Sequence, residues 1–384
     1  MGEQAITLQQ VRTLVFGAGC ATRCGEYLAA RGARSVFVVT APPIAKLCEP
    51  LRAELEKQGC AVTIWSDVQQ EPTVADFEWA LAAARQARAD AVVGFGGGSA
   101  MDVAKLVAAF LPPGTQALAD AFGIGKLPGR AISLVCMPTT SGTGSEVSPI
   151  AILLDETDEL KKGVISEHLV PDAAFVDPML TVSCPPGVTA ATGLDALTHC
   201  IEAYANRGAH PVVDTWALEG IRLIGKHLAR AVHEGSDLEA RTRLSQASLY
   251  GGLCLGPVNT AAVHALSYPL GGEFHVAHGV SNAVLLPHVL EFNLPAAPGR
   301  YADIAVALGA ARSGDELDTA RRGVRRLVEL AGECHVPMHM AELGVPESAI
   351  DRMVKAAMTV KRLLDRNVRV VTEADAREIY RKAM

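Results

Sequence analysis

The first half of the chain alternates two kinds of segment, and this alternation restricts the fold more than any other feature. Short, continuously apolar runs rich in β-branched residues recur: "SVFVVT" (Ser35–Thr40), "AVTIW" (Ala61–Trp65), "DAVVGFG" (Asp90–Gly96) and "ISLVCMP" (Ile132–Pro138). Between them, amphipathic stretches predict helices over Ile44–Gln58, over Thr73–Ala89 behind Pro72, and over Ser99–Phe110. A strand that is apolar along its whole length is buried on both faces, and strands joined through helices run parallel. Near "DPMLTVSCPPGVT", Pro178, Pro185, Pro186 and Gly187 interrupt any regular element. Beyond that point strand signals fade, and helical spacing dominates, as in "PVVDTWALEGIRLIGKHLARAVHE". The expectation is an α/β N-terminal domain with a mostly parallel sheet over residues 1–187, and an all-helical domain over residues 188–384. A chain of 384 residues suits two cores, and a cleft between domains is the usual place for a site.

Composition narrows what such a chain binds. A formal net charge of −7 argues against wrapping nucleic acid or adhering to an anionic membrane. The apolar runs are broken well before membrane-spanning length. The N-terminus shows no basic segment followed by an apolar one, so no secretory signal is expected and a cytoplasmic location is. Nine cysteines without a CxxC pair read as small apolar residues in a reducing compartment.

Two constellations carry chemistry. "VVGFGGGSAMDVAK" reads as strand, glycine turn and helix, with Ser99 as N-cap and Asp102 in the first turn. Bare backbone N–H groups at a helix N-terminus favour a pyrophosphate. A second polar turn, "MPTTSGTGSEVS", follows another buried strand and offers Thr139, Thr140, Ser141, Thr143 and Ser145. Parallel sheets bind ligands at the carboxyl ends of their strands, where both turns should lie. Each turn has a plainer reading as an ordinary loop. In the helical half, "GLDALTHCIEAY" puts Asp195 and His199 four apart on one helix face. "VHALSYPLGGEFHVAHGVSNAVLLPHVLEFN" adds His264, His275, His278 and His288. A carboxylate with imidazoles suits Fe²⁺ or Zn²⁺, whereas any one of these residues alone is as readily a core or helix-end group.

Together, "GGGSAMDVAK", "PTTSGTGSEVS", "ATGLDALTHCIEAY" and "HALSYPLGGEFHVAHGVSNAVLLPHV" make the chain resemble the iron-containing (group III) alcohol dehydrogenases nearly end to end. That is the family of lactaldehyde reductase and an iron-activated bacterial alcohol dehydrogenase. The resemblance implies one divalent ion, Fe²⁺ before Zn²⁺, on Asp195, His199, His264 and His278. It implies NAD or NADP phosphates on Gly97, Gly98, Ser99, Thr139, Thr140 and Thr143, with Asp102 and Lys162 also among the cofactor-binding residues. It implies reversible hydride transfer between a small alcohol and an aldehyde or ketone, in a homo-oligomer, a dimer. The chain departs from the family pattern twice. Tyr268 stands where some members carry a histidine assigned to proton relay, and His275 is the substitute expected beside it. Ala41 follows the second strand where NAD-preferring members carry an aspartate that binds the ribose, so tolerance of NADP is expected. Other readings are a maleylacetate reductase, a dehydroquinate synthase-like lyase, and a metallohydrolase whose glycine loop is only structural.

Overall fold

The computed structural model describes residues 5–68, 71–114, 116–157 and 160–384. They fall into two units, an α/β unit of Gln9–Thr140 with Gly144–Ser183, and a helical unit of Cys184–Met384 with Ser141–Thr143 and residues 5–8. No helix among the described residues is long and apolar enough to cross a membrane.

Among the described residues, nine strands build the α/β unit: β1 (Thr13–Phe16), β2 (Ser35–Val39), β3 (Ala61–Trp65), β4 (Ala91–Gly96), β5 (Gly123–Ile124), β6 (Ser133–Pro138), β7 (Ile150–Asp155), β8 (Leu160–Ile165) and β9 (Ala173–Val176). Six form one sheet in the order β1-β9-β6-β4-β2-β3, and every pairing in it is parallel. Side chains alternate across it. Phe37, Val39, Val92 and Leu134 face the core under the helices Val74–Gln86 and Gly98–Phe110. Val36, Val38, Val93 and Val135 face the core under Cys24–Ala29 and Glu49–Lys57. The four strands read from the apolar runs are all present.

Three details differ from the sequence reading. The expected helix over Ile44–Gln58 is a 3₁₀ segment, Pro42–Cys48, followed by the helix Glu49–Lys57; Pro50 lacks the N–H that one continuous α-helix would need there. Strands β1 and β9 are only four residues long, and so short a run carries little periodic signal. A second sheet, β5-β8-β7, contains an antiparallel hairpin of β7 with β8. Its residues Ala151, Leu153 and Val164 pack into the core around the Gly98–Phe110 helix.

No strand follows Val176 among the described residues, and the helical unit holds one large apolar core. Its helices approach closely where glycine allows it. A Cβ on Gly279 would lie 2.1 Å from the Ala191 carbonyl oxygen, so the helices Pro186–Tyr204 and His278–Asn293 meet backbone to backbone there. Gly279→Ala forces this crossing apart and is expected to cost about 1–3 kcal/mol. Gly332→Ala, with nothing within 4 Å of the new methyl group, is expected to add about 0.5 kcal/mol. Denaturant unfolding of the intact chain checks the pair; equal midpoints for the two variants would contradict the packing described.

Candidate functional site

The Pro186–Tyr204 helix carries Asp195, His199 and Glu202, spaced four and then three residues apart and therefore on one face. One turn before Asp195 lies Ala191, the point where Gly279 touches this helix. That contact brings the neighbouring His278 to the Asp195 carboxylate. His264 comes from a third helix, Ala262–Phe274. The result is a convergence on one oxygen. His278 Nε2 lies 3.5 Å, His264 Nε2 3.7 Å and His199 Nε2 3.8 Å from Asp195 Oδ1. Candidate ligand atoms of Asp195, His199 and His264 all lie within 4.8 Å of one another. The rings of His199 and His264 stack with centroids 4.8 Å apart.

The electrostatics match a cation at the centre. Asp195, His199 and His264 are 2%, 5% and 3% exposed. Burial pushes the Asp195 carboxyl up, yet the imidazoles of His199, His278 and His264 hold it far below the usual carboxylate range. Burial pushes His199 down. Burial also opposes charge on His264, but the Asp195 and Glu202 carboxylates outweigh it and raise that imidazole to about 9. Positive charge is thus favoured at this point of an otherwise apolar core. Two buried polar atoms here, His199 Nδ1 and Asn282 Oδ1, have no hydrogen-bond partner. One carboxylate and three imidazoles fit a divalent metal ion.

Two supporting groups escaped the sequence reading. Glu202 Oε2 lies 2.6 Å from His264 Nδ1, and Glu202 Oε1 accepts the Val263 N–H at 2.6 Å. This carboxylate keeps the His264 proton on Nδ1 and turns Nε2 towards Asp195. The Asn282 amide donates to Asp195 Oδ1 at 2.7 Å and lies 3.2 Å from His264 Nε2 and 3.3 Å from His278 Nε2. Both left a signal: Glu202 continues the Asp195–His199 face, and Asn282 is one turn after His278.

Not every histidine joins the cluster. His275 is exposed at the C-terminal cap of its helix, in a left-handed conformation with φ 54°. His288 is half-buried, and its charged neighbours are Glu291, His339 and Lys382. Tyr268 lies nearer, its ring centroid 6.4 Å from that of His278. Burial pushes its phenol up, opposed by the Arg362 guanidinium beside it.

In the α/β unit, Gly96 pairs with Pro138 across β4 and β6, and the Thr139 N–H donates to the Gly96 carbonyl at 2.9 Å. The glycine turn and Thr139–Thr140 therefore sit side by side at the carboxyl ends of their strands. A Cβ on Gly97 would lie 3.4 Å from Thr140 Oγ1. The cap is Gly97, not Ser99; the helix starts at Gly98, no side chain caps it, and no acidic residue lies in its first turn. By contrast, Thr73 closes the Val74–Gln86 helix with a capping box. An uncapped N-terminus beside bare backbone suits a phosphate. Strand order reverses between β2 and β4, so the turns after these two strands flank the crevice where such sheets bind nucleotides.

Asp102 lies one turn deeper than the sequence suggested, and its carboxylate is engaged within the protein. Oδ1 accepts from Ser145 Oγ at 2.5 Å and Oδ2 accepts the Ile152 N–H at 2.9 Å. Lys105, fully buried, donates to the Ser148 and Ile150 carbonyls, each at 2.9 Å. The pair ties the second turn and β7 to the Gly98–Phe110 helix. Lys162 Nζ donates to Asp155 Oδ2 at 2.6 Å across the β7–β8 hairpin.

Known proteins share this architecture. The family model described as iron-containing alcohol dehydrogenase matches residues 12–178. That of the Fe-containing alcohol dehydrogenase family, C-terminal, matches residues 189–384. The chain is 43% identical over 358 residues to long-chain-alcohol dehydrogenase 1 of Geobacillus thermodenitrificans, across 92% of this chain and 90% of that one. It superposes on the crystal structure of 1,3-propanediol oxidoreductase with a TM-score of 0.96 and 32% identity, covering 99% of this chain and 100% of the other. The structure of sulfoacetaldehyde reductase from Bifidobacterium kashiwanohense in complex with NAD⁺ gives a TM-score of 0.88 and 29% identity over 99% of each chain. The chain belongs to the iron-containing alcohol dehydrogenase family.

Proposed function

We propose that this protein is a metal-dependent alcohol dehydrogenase that moves a hydride reversibly between a small alcohol and its aldehyde or ketone, with NAD or NADP as partner. The observation that carries the reading is the convergence of three imidazole nitrogens on one oxygen of the buried Asp195 carboxylate. Asp195, His199, His264 and His278 are the proposed ligands of one divalent ion. Nitrogen and oxygen donors in this ratio suit Fe²⁺ and Zn²⁺, and the family supports iron. When bound, the ion supplies Lewis acidity to the substrate oxygen and the nicotinamide gives or takes the hydride.

The chain's own residues do the rest. Glu202 fixes the His264 tautomer, and Asn282 orients the Asp195 carboxylate. An apolar core packs around Asp195, His199 and His264. Tyr268 is the proposed relay for the substrate proton, with His275, at the exposed end of the same helix, as its route to solvent. Gly97, Gly98, Ser99, Thr139, Thr140 and Thr143 are the proposed phosphate contacts, supported by the uncapped helix N-terminus. Asp102 is better read as positioning that turn, since Ser145 and Ile152 occupy its oxygens. Lys162 is proposed to exchange Asp155 for the cofactor. The NAD⁺ held by the related sulfoacetaldehyde reductase supports a nicotinamide. Nine free cysteines, eight of them buried, support a reducing compartment and hence the cytoplasm. Assembly as a homodimer rests on the resemblance alone.

Two predictions test the reading. His264→Ala is expected to abolish turnover and empty the metal site, while Glu202→Gln is expected to weaken metal affinity by roughly 10–100-fold. Elemental analysis and metal titration check both, and full occupancy in His264→Ala would remove that residue from the site. The other concerns cofactor choice. Ala41 leaves β2 beside the glycine turn and carries no charge to repel a 2′-phosphate. The wild type is expected to accept NADP, and Ala41→Asp to lower kcat/KM for NADP by roughly tenfold or more while sparing NAD. A wild type that already rejects NADP by roughly a thousandfold would show that another residue sets the choice.

A further inference from the structure

Arg362 lies beside Tyr268, close to the Asp195 cluster, and takes no part in it. It sits on the short helix Lys361–Leu364, which packs against the Ala262–Phe274 helix that carries His264 and Tyr268. Its Nη1 is buried and has no hydrogen-bond partner. No carboxylate among the described residues forms an ion pair with it, although a guanidinium stays charged at every ordinary pH.

Two other arginines of the helical unit that are at least partly buried are treated differently. Arg241, 2% exposed, donates to the Gly235 carbonyl, Thr189 Oγ1 and the Cys184 carbonyl. Arg300 grips Asp214 through two hydrogen bonds of 2.6 and 2.9 Å and lies 4.0 Å from the Tyr204 ring centroid. Both are satisfied within the chain. Arg362 neither pairs with an acid nor lies over an aromatic ring among the described residues. Leaving a guanidinium nitrogen buried and unpaired is costly unless an anion arrives to meet it.

Its surroundings say where that anion belongs. The guanidinium lies beside the Tyr268 phenol, and the Tyr268 ring is 6.4 Å from the ring of His278. A single side chain therefore separates Arg362 from the cluster around Asp195. A neutral alcohol gives this charge no partner. A carboxylate on the far end of the same substrate does, through charge-assisted hydrogen bonds.

We propose that Arg362 receives a carboxylate of the substrate, so that the preferred aldehydes and alcohols of this site are short and carry a second, anionic end. This rests on the dehydrogenase reading above and specifies its substrate class.

The test compares two aldehydes of equal chain length, butanal and succinate semialdehyde, on metal-loaded wild type, Arg362→Met and Arg362→Lys. The wild type should favour succinate semialdehyde, and Arg362→Met should reduce that preference by roughly 10–100-fold, mainly through KM. Arg362→Lys keeps the charge and should recover part of it. A wild type indifferent to the carboxylate, or an Arg362→Met variant that slows both aldehydes equally, overturns the proposal. Calorimetric titration with succinate reads the same contact without turnover. If neither aldehyde reacts but succinate binds the wild type and not Arg362→Met, the carboxylate site stands and the dehydrogenase reading falls. Equal binding of succinate by both proteins overturns the site.

Discussion

A carboxylate that is 2% exposed in an apolar core is unstable unless positive charge surrounds it, and the helical unit is organised around that requirement. Asp195 is encircled by His199, His264 and His278 from three helices. His278 reaches it because Gly279 lets two helices touch at Ala191, one turn before Asp195. A side chain at that glycine would move His278, and the centre would lose one of its converging nitrogens. Glu202 and Asn282 then fix the directions of the groups already gathered. Packing, electrostatics and orientation thus serve the same few atoms. In the free protein the balance is incomplete: His264 is driven towards protonation, and two buried polar atoms lack partners. A divalent cation on His264 Nε2 would take the place of that proton.

In the α/β unit the glycine turn leaves backbone N–H groups at a helix N-terminus that no side chain caps, an arrangement suited to an anion. Gly97 caps its helix with no side-chain hydrogen bond. The second turn is held beside it from below by Asp102 and Lys105. Burying an acid and a base together is costly; here each makes several hydrogen bonds that tether loop to helix. This division explains why an acidic residue so close to the glycine turn need not touch a ligand.

Much of this was legible in the sequence. Apolar runs bounded by turns placed β2, β3, β4 and β6, and the loss of strand signal marked the change to helices. The four-residue spacing of Asp195 and His199 placed two groups on one face, and extending that face by three residues reaches Glu202. Other features had no local signature. The Pro42–Cys48 segment looks amphipathic, but its prolines select a tighter helix. Ser99 is a good N-cap by composition, yet the turn geometry gives that place to Gly97. Gly279 looked like any glycine, because its meaning lies in a contact with Ala191, distant in sequence. Arg362 sits among basic residues in "VKRLLDRN", and only the buried, unpartnered Nη1 separates it from its solvated neighbours.

The central claim is that the buried Asp195 cluster is a metal centre, and X-ray absorption at the metal edge examines it most directly. Protein loaded with Fe²⁺ or Zn²⁺ should bind one ion in a shell of nitrogen and oxygen at about 2.0–2.2 Å. Scattering from several imidazoles should be visible and sulfur should be absent, despite nine free cysteines. The same spectrum after Asp195→Ala, or a shell containing sulfur, would place the ion elsewhere and contradict the account.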